Sequence, residues 1–170
     1  YCGENNVLFT NNDSAYETAL SLFKKGIRVK AIVDIREQPS SKIIEEVESN
    51  GIKVYKEYTV VNTEGYKKIN KISIMQLSKD GQSVIGSKID LDCDCLGLSG
   101  GWTPAVHLFT QSGGKLKFRD EDQVFIPNHY PSKQISIGSC NGDFELDEIL
   151  NLVPTQLKNF LEIEKTEYEN

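Results

Sequence analysis

The stretch NVLFTNNDSAYETALSLFKKGIRVKAIVD, residues 6–34, decides the fold. Its first apolar run, Asn6–Thr10, is typical of a buried strand. The polar residues Asn11–Ser14 supply side chains that cap a helix start, and apolar residues then recur at helical spacing until Gly26. A second apolar run, Val29–Asp34, predicts another buried strand. The pattern therefore predicts a strand–helix–strand unit of about 30 residues whose two strands pair in parallel.

The next residues continue this pattern and then change it. Ser40 and Ser41 open a second predicted helix that ends at Gly51, and Ile52–Tyr55 predicts a third parallel strand.

From Tyr58 to Asp92 the pattern becomes strand–turn–strand, with a hairpin turn signal at Lys79-Asp80-Gly81. Asp94–Ser99 predicts a further buried strand that returns to the parallel sheet. The sequence therefore predicts an α/β fold, a parallel sheet with an inserted antiparallel hairpin or meander.

The last third of the chain predicts shorter elements. They are an edge hairpin from Lys115–Phe118, short strands at Val124–Pro127 and Gln134–Ile137, a tight turn at Gly138–Gly142, and a helix over Asp143–Leu152 that Thr155–Phe160 extends.

Composition restricts the possible partners. The chain has 170 residues, a size that fits one domain or slightly more, and a formal net charge of −6. Nucleic acids and anionic membranes attract clustered Lys and Arg, so both are disfavoured as partners. No stretch approaches the roughly 20 apolar residues of a membrane span. The first residue is Tyr1 and the one methionine is Met75, so we expect the chain to be a piece of a longer protein.

The four cysteines, Cys2, Cys93, Cys95 and Cys140, argue against a metal site. Cys93 and Cys95 form a C-x-C pair, whose thiols would share one face if Asp92–Leu96 were a strand. A metal would need further ligands, and neither histidine has ligand spacing to a partner. We therefore expect no metal, and reduced, buried cysteines in a cytoplasmic protein.

The turn after the first strand has the position of a dinucleotide site but lacks its residues. A diphosphate there is held by backbone N–H groups that glycines leave accessible. Thr10–Ala15 contains no glycine, and Asp13 would repel phosphate. Asp34 does end the second strand, where an acid holds a ribose hydroxyl. A nucleotide site and a simple helix cap are both open, and the residues favour the cap.

A glycine-bracketed turn near the C-terminus is the better candidate. Gly138–Gly142 follows the predicted strand Gln134–Ile137 and precedes the predicted helix, so free backbone N–H groups would point outward. Its glycines remove the Cβ barrier, and Asn141 tolerates a left-handed conformation. A plain strand-to-helix turn explains the same residues equally well.

The stretch LSGGWTPAVHL, residues 98–108, combines a Gly–Gly pair with the chain's one tryptophan. Gly100 and Gly101 permit a turn at positive φ or the close approach of a ligand. Trp102 either stacks on a planar group or covers the core, and its chemistry favours the core. His107 has no nucleophile placed beside it by spacing, so a satisfied structural histidine is favoured over a general base.

Two long motifs resemble those of one protein family. Val7–Tyr16 reads VLFTNNDSAY and Ser99–Leu108 reads SGGWTPAVHL, and both resemble the alpha subunits of heterotetrameric sarcosine oxidase. The residues after Leu150 carry little of this resemblance. Shorter matches follow in the same order at Gln111-Ser112, Gly114-Lys115-Leu116, Phe125–Pro127 and Gly138–Gly142.

The resemblance implies a Rossmann-like fold in which one nucleotide domain is inserted into another, as in the pyridine-nucleotide-disulfide oxidoreductases. Residues 1–98 would form the inserted domain, and residues 99–170 would return to close the first dinucleotide-binding domain. The glycine-rich turn that holds the diphosphate of NAD would lie upstream of Tyr1. In this chain, the expected NAD contacts lie where strands end at the ligand edge of the sheet. They are Ser99, Gly100, Gly101, Trp102, Gly138, Asn141, Gly142 and Asp143.

The same resemblance implies a function for the whole protein. Sarcosine oxidase converts sarcosine to glycine, with tetrahydrofolate accepting the one-carbon unit and oxygen reduced to peroxide. The resemblance places FAD and FMN outside this chain, assigns it no catalytic residue, and implies beta, gamma and delta subunits as partners. Two alternatives stay open, namely another flavin-dependent N-methyl amine dehydrogenase or oxidase, and a non-catalytic nucleotide-binding module.

Overall fold

The computed structural model describes residues 3–131 and 133–168, and the chain divides into two compact units. The first unit ends at Gly101 and the second begins at Trp102. The elements in chain order are β1 (Asn6–Thr10), α1 (Ser14–Lys24), β2 (Val29–Asp34), α2 (Ser41–Ser49), β3 (Lys53–Lys56), β4 (Tyr58–Gly65), β5 (Ile69–Leu77), β6 (Val84–Asp92), β7 (Cys95–Ser99), α3 (His107–Gln111), β8 (Lys115–Arg119), β9 (Val124–His129), a 3₁₀ turn (Gly138–Asn141) and α4 (Leu146–Tyr168).

A four-stranded parallel sheet forms the centre of the first unit, in the order β3-β2-β1-β7. β1 pairs with β2, placing Val7 opposite Ala31 and Thr10 opposite Asp34. Parallel neighbours need a crossover connection, which α1 provides. The strand–helix–strand prediction for residues 6–34 is therefore confirmed, and so is the third parallel strand, because β3 pairs with β2.

Helices cover one face of this sheet. α1 buries Ala15, Tyr16, Ala19 and Leu20, which recur on one side of the helix. Burying an aliphatic side chain of leucine size contributes about 1.5–3 kcal/mol. The buried cluster on this face consists of Leu8, Tyr16, Ala19, Leu20, Val29, Ile32, Ile44, Val47 and Ile52.

A three-stranded antiparallel sheet, in the order β4-β5-β6, covers the other face. Val7 and Val33 of the parallel sheet pack in one cluster with Ile72 and Ile74 of β5, and all four are fully buried. Since successive side chains of a strand point to opposite faces, β1 and β2 contribute to both clusters. The predicted insertion of antiparallel strands within residues 58–92 is confirmed.

β7 returns to the parallel sheet beside β1, as predicted, but it is not buried. It lies at the edge of the sheet, and Leu98 is 73% exposed. The strand begins only at Cys95, so Cys93 lies in the connection after β6. The expectation that both thiols share one strand face is therefore wrong.

The second unit contains the antiparallel hairpin β8–β9, the short helix α3, the 3₁₀ turn and the long helix α4. Two sequence predictions are wrong here. Gln134–Ile137 is not a strand, because it pairs with no described segment, and the last helix begins at Leu146 rather than at Asp143. α4 continues through Pro154, whose ring removes one backbone hydrogen bond without ending the helix. Within the described ranges, no helix combines the length and the apolar character needed to cross a membrane.

Candidate functional site

The carboxyl ends of the parallel strands meet at one edge of the sheet in the first unit. Thr10 ends β1, Asp34 ends β2 and Ser99 ends β7. β1 lies between the other two strands, so Thr10 is opposite both Asp34 and Ser99. Ligands of open α/β sheets bind outside this edge. The residues that follow these strands are therefore the candidate site of the first unit.

Asparagine side chains fill the turn after β1. The Asn12 amide donates hydrogen bonds to the carbonyl oxygen and to Oγ of Ser99, each at 3.1 Å. The Asn11 amide donates to the Gly100 carbonyl oxygen at 3.3 Å. Asn12 Oδ1 also accepts the backbone N–H of Ser14, the first residue of α1, at 3.1 Å. Asn12 therefore bonds to the first residue of α1 from the position before the N-cap, whereas Asp13, the N-cap residue, makes no side-chain capping hydrogen bond.

Asp34 is completely buried, and neighbouring donors already use its carboxylate. Oδ2 accepts a hydrogen bond from the Tyr16 hydroxyl at 2.9 Å, and Oδ1 accepts the Arg36 backbone N–H at 2.9 Å. The Arg36 guanidinium bridges two carboxylates, with Nη2 2.8 Å from Asp34 Oδ2 and 2.6 Å from Asp13 Oδ1. The side chain predicted to hold a ribose hydroxyl is therefore occupied by donors of the protein itself.

The charges of this network shift the pKa of both donor side chains. Burial, followed by the charge of Asp34 and the hydrogen bond to it, raises the pKa of Tyr16 well above its usual value. Burial alone would lower the pKa of Arg36, but the hydrogen bonds to Asp34 and Asp13 outweigh it and raise the pKa. Both groups therefore keep their protons at neutral pH.

The two glycines after β7, Gly100 and Gly101, differ in backbone conformation and in the space around them. Gly101 has φ +95°, a conformation that residues with a Cβ rarely adopt. A Cβ at Gly100 would have no neighbour within 4 Å, so the backbone there faces open space. Ser99 accepts the Asn12 hydrogen bonds, which orient the start of this segment. Ser99, Gly100 and Gly101 stay predicted NAD contacts in the first unit.

Trp102 and His107 belong to the second unit, and both depart from expectation. Trp102 is 65% exposed, and its ring lies 6.2 Å from that of Phe144, so the interpretation that it covers the core is wrong. His107 is exposed at the first residue of α3. No described group forms a hydrogen bond with its imidazole, so it is not a satisfied structural histidine.

The turn at residues 138–143 uses its own backbone donors. The N–H of Gly142 donates to the Ser139 carbonyl oxygen at 3.3 Å, and the N–H of Asp143 donates to that of Gly138 at 3.2 Å. The left-handed residues are Gly138, with φ +75°, and Gly142, with φ +84°, instead of Asn141. Since no strand precedes this turn and α4 begins three residues after Asp143, the expected outward-pointing donors are not provided by a helix start.

Two of the predicted contacts in this turn have a structural role. The Asn141 amide donates to Asp143 Oδ2 at 3.1 Å. A Cβ at Gly142 would lie 2.8 Å from Arg119 Nη2 and 3.0 Å from Ile126 Cγ2, so this position requires glycine. Gly138, Asn141, Gly142 and Asp143 stay predicted NAD contacts.

Within residues 3–131 and 133–168, no group of three or more His, Cys, Asp or Glu side chains is arranged to hold a metal ion. Cys93, Cys95 and Cys140 are free thiols, and of these three only Cys93 is buried. Burial raises the pKa of Cys93, which reduces its thiolate fraction. Cys2 lies outside the described residues.

Comparison with known proteins finds relatives much longer than this chain. The sarcosine oxidase subunit alpha of Corynebacterium sp. (strain P-1) is 30% identical over 151 residues, which are 88% of this chain and 15% of that subunit. That of Corynebacterium sp. (strain U-96) is 30% identical over 133 residues, 78% of this chain and 14% of that subunit. This chain is homologous to one segment of the sarcosine oxidase alpha subunits. It spans about 15% of their length, and no protein-family model matches it.

Solved structures show which fold this chain shares. The match to thioredoxin reductase from T. acidophilum has a TM-score of 0.53 at 16% identity. The matched part is 81% of this chain and 47% of the thioredoxin reductase chain. Bacillithiol disulfide reductase from Staphylococcus aureus has a TM-score of 0.55 at 15% identity, with coverage of 78% and 39%. A FAD-dependent pyridine nucleotide-disulphide oxidoreductase from Desulfovibrio vulgaris has a TM-score of 0.51 at 20% identity, with coverage of 76% and 38%. The Rossmann-like fold of the disulfide oxidoreductases is therefore confirmed.

In this relative of the sarcosine oxidase alpha subunits, sequence reasoning missed the two donors that occupy Asp34. Tyr16 was considered only as the last residue of the motif Val7–Tyr16, and Arg36 received no role. A signal was available, because an arginine two residues after a strand-ending acid can fold back onto its carboxylate. The observed hydrogen bonds from the backbone and side chain of Arg36 to Asp34 have this form.

Proposed function

We propose that this chain is part of the NAD-binding region of a flavin-dependent complex that oxidatively demethylates sarcosine to glycine, with oxygen and tetrahydrofolate as further substrates. The observation that carries the proposal is the 30% identity over 151 residues to a sarcosine oxidase alpha subunit. In this proposal the chain holds no catalytic residue. FAD and FMN bind elsewhere in the complex, and the beta, gamma and delta subunits are its partners.

The geometry of the first unit supports an assignment of the diphosphate of NAD to another part of the NAD-binding region. A diphosphate needs accessible backbone N–H groups, but the turn after β1 is filled by the Asn12 amide, and Asp34 is occupied by Arg36. We therefore assign the diphosphate of NAD to a glycine-rich turn outside this chain. Ser99–Trp102 and Gly138–Asp143 remain the proposed NAD contacts within this chain.

The domain assignment belongs to the same proposal. Residues 1–98 form the inserted nucleotide-type domain, and residues 99–170 return to the first dinucleotide-binding domain. The boundary between the two compact units, after Gly101, lies three residues from the proposed boundary.

Exposed apolar side chains of the second unit support its place inside a larger assembly. Leu108 is 80% exposed, Leu146 is 66% exposed and Leu150 is 61% exposed. Leu146 and Leu150 lie four residues apart on α4 and so share one face of that helix, and exposed apolar surface of this kind often marks a protein contact. In the proposed complex, neighbouring protein covers these residues.

The test is purification of the protein from its own cells through an affinity tag added at the chromosomal gene. We expect the tagged protein to carry bound flavin, to form hydrogen peroxide when sarcosine is added, and to release NAD when it is denatured. Absence of flavin and of peroxide formation would contradict the proposal. Turnover of N,N-dimethylglycine instead of sarcosine would favour a different N-methyl amine enzyme.

A further inference from the structure

The hairpin between β4 and β5 projects beyond the rest of its sheet. β5 pairs with β6 only as far as Lys71, which lies opposite Asp92. The β4–β5 ladder continues to the pair Gly65 and Ile69, beyond the end of β6. We name residues 65–68, Gly65-Tyr66-Lys67-Lys68, the basic tip.

The basic tip has a fixed backbone. Gly65 has φ +152°, and a Cβ at this position would lie 2.0 Å from the carbonyl oxygen of Lys68. Only glycine fits such a closed turn, so the side chains of Tyr66 and Lys67 are presented on a constrained loop. A preordered loop loses less conformational entropy on binding than a flexible one.

The tip exposes an aromatic ring between positive charges. Tyr66 is 97% exposed, the highest value among the exposed large hydrophobic side chains of the described residues. Lys67 and Lys68 are exposed as well, in a chain whose net charge is −6. Within the described ranges, no hydrogen bond or ion pair uses the side chains of Tyr66 or Lys67. Tyrosine is enriched among residues that dominate the affinity of protein interfaces.

Acidic groups of the hairpin do not cancel this positive charge. Glu64 lies beside the tip, but it pairs with Lys71, whose Nζ is 2.9 Å from Glu64 Oε2. Asp94 lies close enough to Lys68 for the charge of that lysine to help lower the pKa of the Asp94 carboxyl, so the uncompensated positive charge of the tip comes chiefly from Lys67. Residues 63–69 line a shallow, open depression at the tip.

The second hairpin turn of the same sheet provides a contrast. Between β5 and β6, Asp80 accepts hydrogen bonds from the Ser78 hydroxyl and from the backbone N–H of Gln82. The Ser83 backbone N–H donates to Ser78 Oγ. The polar groups of this turn satisfy one another, whereas the basic tip leaves its tyrosine and Lys67 available.

We propose that the basic tip docks onto an acidic surface of another subunit of the flavin complex. Tyr66 enters a pocket of that subunit, and Lys67 and Lys68 pair with its carboxylates. This inference rests on the proposed function, because the complex supplies the partner.

The experiment compares chromosomally tagged variants by the flavin and subunits that co-purify with the tag. Tyr66→Ala and the double variant Lys67→Glu/Lys68→Glu should each lower the flavin retained per tagged chain by at least about tenfold, the loss typical of an interface hot spot. Lys67→Arg/Lys68→Arg keeps the charge and should retain the flavin. Lys79→Glu, on the self-satisfied turn, is the matched control and should also retain it.

Salt provides a second readout. Retention by the wild-type protein should fall when the ionic strength rises to about 0.5 M, because exposed charge pairs are then screened. Equal retention by wild type and both tip variants overturns the docking proposal while the proposed function stands. A wild-type tagged protein that carries no flavin overturns the proposed function, and the docking proposal with it. Equal thermal unfolding of all variants shows that the differences do not come from misfolding.

Discussion

The hydroxyl of Tyr16 donates a 2.9 Å hydrogen bond to the fully buried carboxylate of Asp34, and Arg36 neutralises the same carboxylate. The end of β2, where an acid would hold a ribose, is thus occupied by one network of three side chains. The stability of the first unit should depend on keeping that network complete.

Replacement of Arg36 tests this dependence. Arg36→Met leaves the buried charge of Asp34 without its partner, so we expect the free energy of unfolding in urea to fall by about 3–5 kcal/mol. Tyr16→Phe removes a single donor and should cost about 1–3 kcal/mol. The double variant Arg36→Met/Asp34→Asn should be more stable than Arg36→Met alone, because it removes the unpaired charge. A double variant that is less stable would show that the two residues do not act together.

The turn after β1 predicts separate effects on stability and on cofactor binding. Asn12→Ala removes the hydrogen bonds to Ser99 and to the Ser14 backbone N–H, so the free energy of unfolding should fall by about 1–2 kcal/mol. Because Asn12 also orients Ser99, the amount of NAD retained by the tagged complex should fall no further than it does in Ser99→Ala. A larger loss of NAD in a variant that stays folded would place the dinucleotide over this turn and contradict the assignment of its diphosphate to a turn outside this chain.

Gly100 provides a direct test of the predicted NAD contacts. A Cβ at Gly100 meets no atom within 4 Å, so Gly100→Ala should leave the thermal unfolding of the chain unchanged. If the diphosphate or ribose of NAD lies against this backbone, the added methyl group displaces it and lowers the NAD retained by the complex. Unchanged NAD content in the variant would remove Gly100 from the site.

Gly114 is the matched position where a methyl group has no room. A Cβ there would lie 2.4 Å from Cζ of Phe109, whose ring is buried. Gly114→Ala should therefore lower the free energy of unfolding by about 1–3 kcal/mol through overpacking. Chemical denaturation of both alanine variants in parallel measures the difference. Equal stability would mean that the Phe109 ring moves aside at no cost.

Asp94 predicts a pH dependence. Its carboxylate accepts the backbone N–H groups of Asn5 at 2.7 Å and of Glu4 at 3.0 Å, and these bonds lower its pKa. A carboxylate whose pKa is lower in the folded than in the unfolded state stabilises the fold above its unfolded pKa of about 3.9, and this contribution disappears as the pH falls further.

The variant Asp94→Asn should therefore lose less stability than wild type between neutral pH and pH values below about 4. Urea midpoints at a series of pH values measure the two slopes. Asp147→Asn, in the first turn of α4, is the control for removal of a carboxylate. Identical slopes for wild type and Asp94→Asn would show that the two backbone bonds do not depend on the charge.

The sequence predicted secondary-structure elements better than it predicted strand pairing and side-chain exposure. In residues 6–34, two apolar runs enclose a helical pattern that begins at polar residues and ends at a glycine, so β1, α1 and β2 were all located. Gln134–Ile137 has a similar alternation of apolar residues, but no strand of the described residues pairs with it. Whether a segment pairs with another strand depends on the rest of the fold and cannot be read from the segment itself. Trp102 illustrates the same limit, because its size favours burial, while its 65% exposure depends on what packs around it.

The candidate site was predicted only in outline, for a physical reason. The carboxyl edge follows from parallel strand order, which the strand–helix–strand pattern predicts. The occupation of Asp34 by Tyr16 and Arg36 depends on side-chain directions in α1, at the end of β2 and in the connection after it, which spacing along the chain does not specify. The absence of glycine in Thr10–Ala15 predicted a turn unsuited to a diphosphate, but it did not reveal the amide hydrogen bonds that Asn11 and Asn12 make there.

The position of β7 at the rim of its sheet has a practical consequence for handling the protein. An edge strand presents backbone N–H and C=O groups that can pair with a strand of another molecule. In β7 the side chain of Leu98 is also largely exposed. Concentrated solutions of the purified chain should therefore aggregate by adding strands side by side. Replacement of Leu98 by a charged residue should oppose this strand pairing and keep concentrated preparations soluble.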